Sequence, residues 1–358
     1  MAAIFSRRDW LAMLAAGVPA AALTRVGLAV QAPGVPRGAV IRTLLKDVPP
    51  DAVTGSTLFH EHLSIRYPLT KAMAEGQGRP VPPSFTDDVA LMIEETRLAA
   101  ADGVACIVDG GHADMDRDLG ALSRIASESG VQIVASGGFY MQRNYPAEIA
   151  TKSADQIADD LVREARAQRL GAFGEIGQQE GVLTVDEKKV FTAVAKAQAR
   201  TGLPIFTHNP YLGTQANPPV PMDAALKQLD VLEEAGADLR HVAIGHVCCL
   251  ADTTAAIPKQ LAKRGVFVGF DRVTLPVVPD AQKVTTILAF LEAGHIDHLL
   301  LSSDFYSSRS LKKNGGAGLA QTVTAFAPRL VKAGVSEASL RQILVDNPKR
   351  FLAVNPKI

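Results

Sequence analysis

The stretch TLFHEHL, Thr57–Leu63, sets two imidazoles two positions apart in an otherwise apolar run. Side chains alternate faces along an extended strand, so His60 and His62 share one face and Glu61 points to the other. Two neutral imidazoles on one face suit a borderline cation such as zinc. Groups of the same kind end other apolar segments: Glu175 in GAFGEIG, His208 in PIFTHN, His246 in AIGHVC and Asp304 in LLLSSDF. Taken singly, a histidine at a strand end is more often a hydrogen-bonded structural residue than a ligand. Taken together, four imidazoles and two carboxylates are more donors than one ion uses, whereas two ions sharing a carboxylate would use them all. Such a centre can hold a hydroxide, lower the pKa of water toward neutrality and polarise a substrate oxygen.

These residues need a scaffold that brings them to one rim. Eight short apolar, β-branched segments recur along the chain: Ser56–His62, Val104–Gly110, Val131–Gly137, Ala172–Gly177, Pro204–His208, His241–Val247, Val266–Asp271 and His298–Asp304. Several are apolar almost throughout, as parallel strands covered on both faces are. Between them lie helix signals, such as TDDVALMIEETRLAAADG and SADQIADDLVREARAQRLG, with a capping residue, near-helical apolar spacing and a closing glycine. Eight alternations of strand and helix indicate a (β/α)8 TIM barrel, with a doubly wound open sheet as the alternative. The active site is then expected at the C-terminal ends of the strands. A short hairpin before Ser56 is expected to cap the opposite end, residues 67–83 to form a long first loop, and DNPKRFLAV to close with a helix carrying Pro348 in its first turn. His241, His295 and His298 fall on the opposite rim and are read as structural, and His112, just past strand two, as a loop residue, with support of the ligands from behind as the alternative.

Composition narrows the partners. Lys+Arg and Asp+Glu both number 37, and no basic stripe is interleaved with aromatics, which argues against nucleic acid. Residues 1–32 read as an address: Arg7 and Arg8 precede a modest apolar stretch, Trp10–Leu23, too short and Ala/Gly-rich for a stable span. This resembles a bacterial twin-arginine export signal cleaved near Ala32, leaving one domain over 33–358, without a membrane anchor, in the periplasm or secreted, with an ordinary Sec signal or an uncleaved anchor as the alternative. Cys106, Cys248 and Cys249 make a poor disulfide framework and are read as buried thiols, with Cys249 a candidate for the wall of the site.

As a set, TLFHEHL, the carboxylate of strand four, the single histidines of strands five and six and SSDF resemble the phosphotriesterase-related family of the amidohydrolase superfamily. The likeness runs from about Val40 to the C-terminus and includes DRD at Asp116–Asp118 and the closing NPKRFL. It implies a metal-dependent barrel hydrolase with two divalent ions, often zinc. His60, His62 and Asp304 would hold one ion, His208 and His246 the other, and Glu175 would bridge them. Many members have a carboxylated lysine at that position. A glutamate needs no modification to offer two oxygens and is similar to the phosphotriesterase homology protein-like branch; without the bridge, a single-metal site is the alternative. The resemblance further implies that Asp304 serves as the catalytic proton acceptor, that Tyr140 in GGFYMQRNYP packs on substrate, and that Asp271 and Arg272 in FDRVTLP orient it. Cys249 stands where some members have an acidic proton-relay residue. The expected activity is attack by metal-bound hydroxide on a carboxylic ester, a lactone or similar acyl compound, by a possible homodimer. Phosphotriester hydrolysis is the alternative, and a secreted metal-binding protein without turnover the non-enzymatic one.

Overall fold

The computed structural model describes residues 34–66, 74, 76–213 and 219–358, so the segment expected to direct export and part of the expected first loop lie outside the described residues. Strands β1 (Val40–Arg42) and β2 (Asp47–Val48) form the expected antiparallel hairpin. A two-residue strand from the far end of the chain, β11 (Ala353–Val354), pairs with the other edge of β1.

The barrel strands follow in chain order: β3 (Ser56–Glu61), β4 (Val104–Asp109), β5 (Gln132–Gly137), β6 (Ala172–Gly177), β7 (Ile205–His208), β8 (Val242–Ile244), β9 (Phe267–Phe270) and β10 (Leu299–Leu301). Each pairs in parallel with the next, giving the sheet order β3 through β10. The seam between β10 and β3 is closed by other means. The Asp304 amide donates to the His60 carbonyl at 3.2 Å and the His60 amide to Ser302 Oγ at 3.0 Å. Glu61, turned away from the histidine face, accepts from the Ser303 amide (2.9 Å), the Phe305 amide (2.8 Å) and the Ser303 hydroxyl.

Several strands are shorter than their apolar segments. The sixth spans Val242–Ile244 rather than His241–Val247, and the eighth Leu299–Leu301 rather than His298–Asp304. His246 and Asp304 lie beyond them with φ of 58° and 50°, a left-handed conformation that leaves the ladder. The candidate ligands on these two strands therefore sit on the first residues of the connecting loops.

Among the described residues seven helices alternate with the strands: α1 (Val89–Ala101), α2 (Leu119–Ser129), α3 (Ala154–Ala167), α4 (Val185–Thr201), α5 (Ala224–Glu234), α6 (Ala256–Lys263) and α7 (Asp280–Glu292). Their starts follow capping chemistry: Ser153 with Gln156, and Thr184 with Glu187, form reciprocal capping boxes on α3 and α4. After β10 come α8 (Ala327–Lys332), α9 (Glu337–Arg341) and α10 (Asn347–Leu352), the last with Pro348 in its first turn.

Two apolar layers fix the site's position. One lies between strands and helices. The other fills the barrel's N-terminal end, where Phe59, Val108, Phe206 and Phe267 pack against Ile41, Val48 and Phe351. A register irregularity between Leu58 and Glu61 lets Phe59 join this plug while His60 and His62 serve the space above it. With the lower end filled, polar chemistry is confined to the C-terminal rim.

Candidate metal centre

His60, His62, Glu175, His208, His246 and Asp304 converge at that rim, none more than 5% exposed. Glu175 lies at the middle. Its Oε1 is 3.4 Å from His62 Nε2, and its Oε2 is 2.9 Å from His208 Nδ1, 3.3 Å from His246 Nε2 and 3.4 Å from His60 Nε2. Asp304 Oδ1 is 3.2 Å from His62 Nε2. The donors fall into two sets that share Glu175: His60, His62, Glu175 and Asp304, and Glu175, His208 and His246. A Cβ at Gly110 would stand 3.1 Å from both the His60 and His62 rings, so glycine there leaves room for them.

Asp271 orients two of these rings from behind. Its Oδ2 is 2.8 Å from His60 Nδ1, and its Oδ1 is 2.9 Å from His246 Nδ1 and accepts the His246 amide at 2.7 Å. A carboxylate only accepts, so both Nδ1 atoms carry a proton, and in the neutral rings that a cation would require both Nε2 lone pairs face the centre. His60 Nε2 is buried without a hydrogen-bond partner, and His246 Nε2 lies 2.9 Å from His208 Nδ1. An orphaned ring nitrogen, a facing pair of ring nitrogens and carboxylates shared among them fit a divalent cation.

The local field agrees. Burial alone would lower the pKa of His60 and His62, yet Glu175 and Asp271 hold His60 well above the ordinary value, and Asp304 and Glu175 raise His62 to about 9. His208 is pushed down to about 4, by burial first and by His246, against the pull of Glu175, so it is a neutral donor. Glu175 stays well below the carboxylate range because His60 and His208 outweigh its burial. The negative field that raises two imidazoles also attracts a cation.

A cavity of about 100 Å³ opens beside the cluster, with His62, Glu175, Asp304, Tyr140 and Arg272 on its wall. The rest of the wall is mainly apolar, including Ile65, Leu212, Leu275 and Val277. Arg272 Nε donates to Asp304 Oδ2 at 2.7 Å, and the Tyr140 ring meets the His208 ring edge-on at 4.9 Å between centroids. Asp271, read from sequence together with Arg272 as a substrate residue, is fully buried and turned to the imidazoles, outside the cavity lining. Cys249 is likewise buried outside it, its Sγ 4.0 Å from that of Cys248. His112 does lie in the loop after β4, but fully buried, with Nδ1 3.2 Å from Asp114, whose other oxygen accepts the Tyr140 amide. Asp114 had no sequence signal of its own.

A parallel eight-stranded barrel with imidazoles and carboxylates gathered at the C-terminal ends of its strands defines a class, the (β/α)8 barrels whose rim could hold a metal ion. Residues 41–352 match the Phosphotriesterase family, and the chain belongs to that family. It is 30% identical over 305 residues to the phosphotriesterase homology protein of Escherichia coli, covering 83% of this chain and 98% of that protein. The crystal structure of that relative, complexed with phosphate in its active site, superposes with a TM-score of 0.72 at 28% identity, covering 84% and 99% of the two chains. The N-acetyltaurine hydrolase of Bos taurus is 27% identical over 354 residues, 87% of this chain and 97% of that one. A resiniferatoxin-binding protein from Rhodobacter sphaeroides superposes with a TM-score of 0.77 at 31% identity, covering 91% and 98%.

Proposed function

We propose that the protein hydrolyses a small, uncharged carboxylic ester, a lactone or similar acyl compound, using two divalent ions, zinc foremost. His60, His62, Glu175 and Asp304 would hold one, and Glu175, His208 and His246 the other. Ions bound there would activate water and polarise the acyl oxygen. The observation that carries the reading is the placement of Asp304, with Oδ1 toward His62 and Oδ2 under Arg272 at the wall of a small, largely apolar cavity. So placed, Asp304 can take a proton from the attacking water and return it to the leaving oxygen. Arg272 keeps that carboxylate ionised and aimed, and Tyr140 walls the cavity on the His208 side. The mainly apolar wall beside Asp304 suits a compact, uncharged acyl group. The same proposal places the mature chain in the periplasm or outside the cell, from the arginine pair, and makes it a homodimer, from the family resemblance.

The test is turnover by zinc-loaded parent and Glu175→Ala proteins on simple lactones, aryl esters, a phosphotriester and N-acetyltaurine, with metal content measured on both. We expect about two ions per parent chain, falling toward one or none in the variant, and at least about tenfold higher kcat/KM on a lactone or ester than on the others. A preference for the phosphotriester or the amide overturns the choice of electrophile. Two ions in both proteins removes Glu175 from the bridge, and fully metallated parent protein without turnover leaves a metal-binding protein.

A further inference from the structure

Lys283, on α7, places its ammonium in the interior, with the side chain fully buried. Its Nζ donates to the Arg272 carbonyl at 2.8 Å, the Leu275 carbonyl at 2.7 Å and Asp280 Oδ1 at 3.1 Å, which uses all three of its hydrogens. The two carbonyls belong to one short loop after β9, and both residues line the cavity. The loop is pinned at other points as well. Asp280 Oδ1 accepts the Thr274 amide at 3.1 Å, Gln321 Oε1 accepts the Thr274 hydroxyl at 2.8 Å, and Thr274 is held at φ 70°. The Arg272 amide donates to Cys248 Sγ at 3.3 Å.

A buried ammonium is an expensive way to fill space, and apolar residues of similar volume often stabilise a core as well or better. What an apolar side chain lacks is donors aimed at two carbonyls. Without them the loop would have to satisfy buried carbonyls by moving, and Arg272 would carry its guanidinium away from Asp304. We infer that Lys283 is a positioning residue for the hydrolytic reaction, fixing the Arg272–Leu275 loop so that Arg272 stays on Asp304 Oδ2. This rests on the hydrolase reading above, but the clamp itself can be tested apart from turnover.

Lys283→Met, similar in length but without donors, and Lys283→Arg, which keeps charge and donors, are compared with the parent, all zinc-loaded. Two readouts are taken: kinetics on the parent's best substrate, and backbone hydrogen exchange of residues 271–276 by mass spectrometry. The methionine variant is expected to lose about tenfold to hundredfold in kcat through misplacement of Arg272. Its KM and metal content should stay within about twofold, as for an interaction made in the transition state. Exchange at 271–276 should rise in it alone, and the arginine variant should recover most of kcat. Parental kcat in the methionine variant overturns the inference, as does equal impairment of both variants. If the parent turns over none of the substrates, the hydrolase reading has failed separately, and unchanged exchange at 271–276 in the methionine variant overturns the clamp. Should that variant not fold, Lys283→Gln, with two donors in place of three, no charge and a shorter arm, carries the same comparison.

Discussion

Asp271 decides which nitrogen of two histidines faces the centre. By accepting from Nδ1 of His60 and of His246 it turns both Nε2 lone pairs inward, and it also anchors the His246 amide at a left-handed turn. An asparagine of the same shape would set an amide N–H against one of those ring N–H groups or against the His246 amide. Asp271→Asn should therefore weaken divalent metal binding by about 10–100-fold, read by titration against a chromophoric chelator. Unchanged affinity would show that the rings orient themselves. The cluster of candidate ligands was legible in the sequence because its residue types are rare at the ends of apolar strands and fall at equivalent positions. Asp271 was legible only as a neighbour of Arg272. At a strand end adjacent residues face opposite sides, so one meets the rings and the other the cavity, and nothing in the pair FDR says which.

At the scale of elements, the eight strands and the helices between them could be read from apolar runs and caps, but the seam could not. β10 and β3 share no strand ladder, and the contact rests on Glu61 spanning to Ser303 and Phe305 together with the His60 bonds to Asp304 and Ser302. From sequence alone Glu61 is only the residue that points away from the histidines. Replacing it by alanine leaves the buried Ser303 and Phe305 amides without their acceptor, at about 1–3 kcal/mol for each group. Glu61→Ala should accordingly lower the urea midpoint far more than Ser303→Ala, which removes one hydroxyl and should cost about 1 kcal/mol. Equal effects of the two changes would mean that the seam is held elsewhere. The strand ends were illegible for a related reason. Left-handed backbone at His246 and Asp304 is set by tertiary contacts, and the apolar pattern continues past the point where the ladder stops.

Across the whole molecule the barrel separates two populations of histidine. At the C-terminal rim carboxylates raise His60, His62 and His246 despite burial, with His208 alone among the four lowered. At the other end His298 and His295 have no such excess of negative charge. Burial lowers both, His298 and nearby lysines lower His295 further, and the bond from His298 Nδ1 to the Val266 carbonyl only partly opposes its shift. The sequence already set these two apart, because they fall before a strand rather than after one. Their depressed pKa has a definite sign for stability: between the folded value and the unfolded value near 6.5, the unfolded chain binds more protons than the native one. The stability they allow is therefore full above about pH 6.5 and is lost as pH falls through that window. His298→Gln keeps an N–H donor for Val266 and stays neutral, so its thermal midpoint should drop less than the parent's between pH 7.5 and 5.5, with both proteins in the same metal state. An identical drop would assign the acid sensitivity to groups at the metal rim instead.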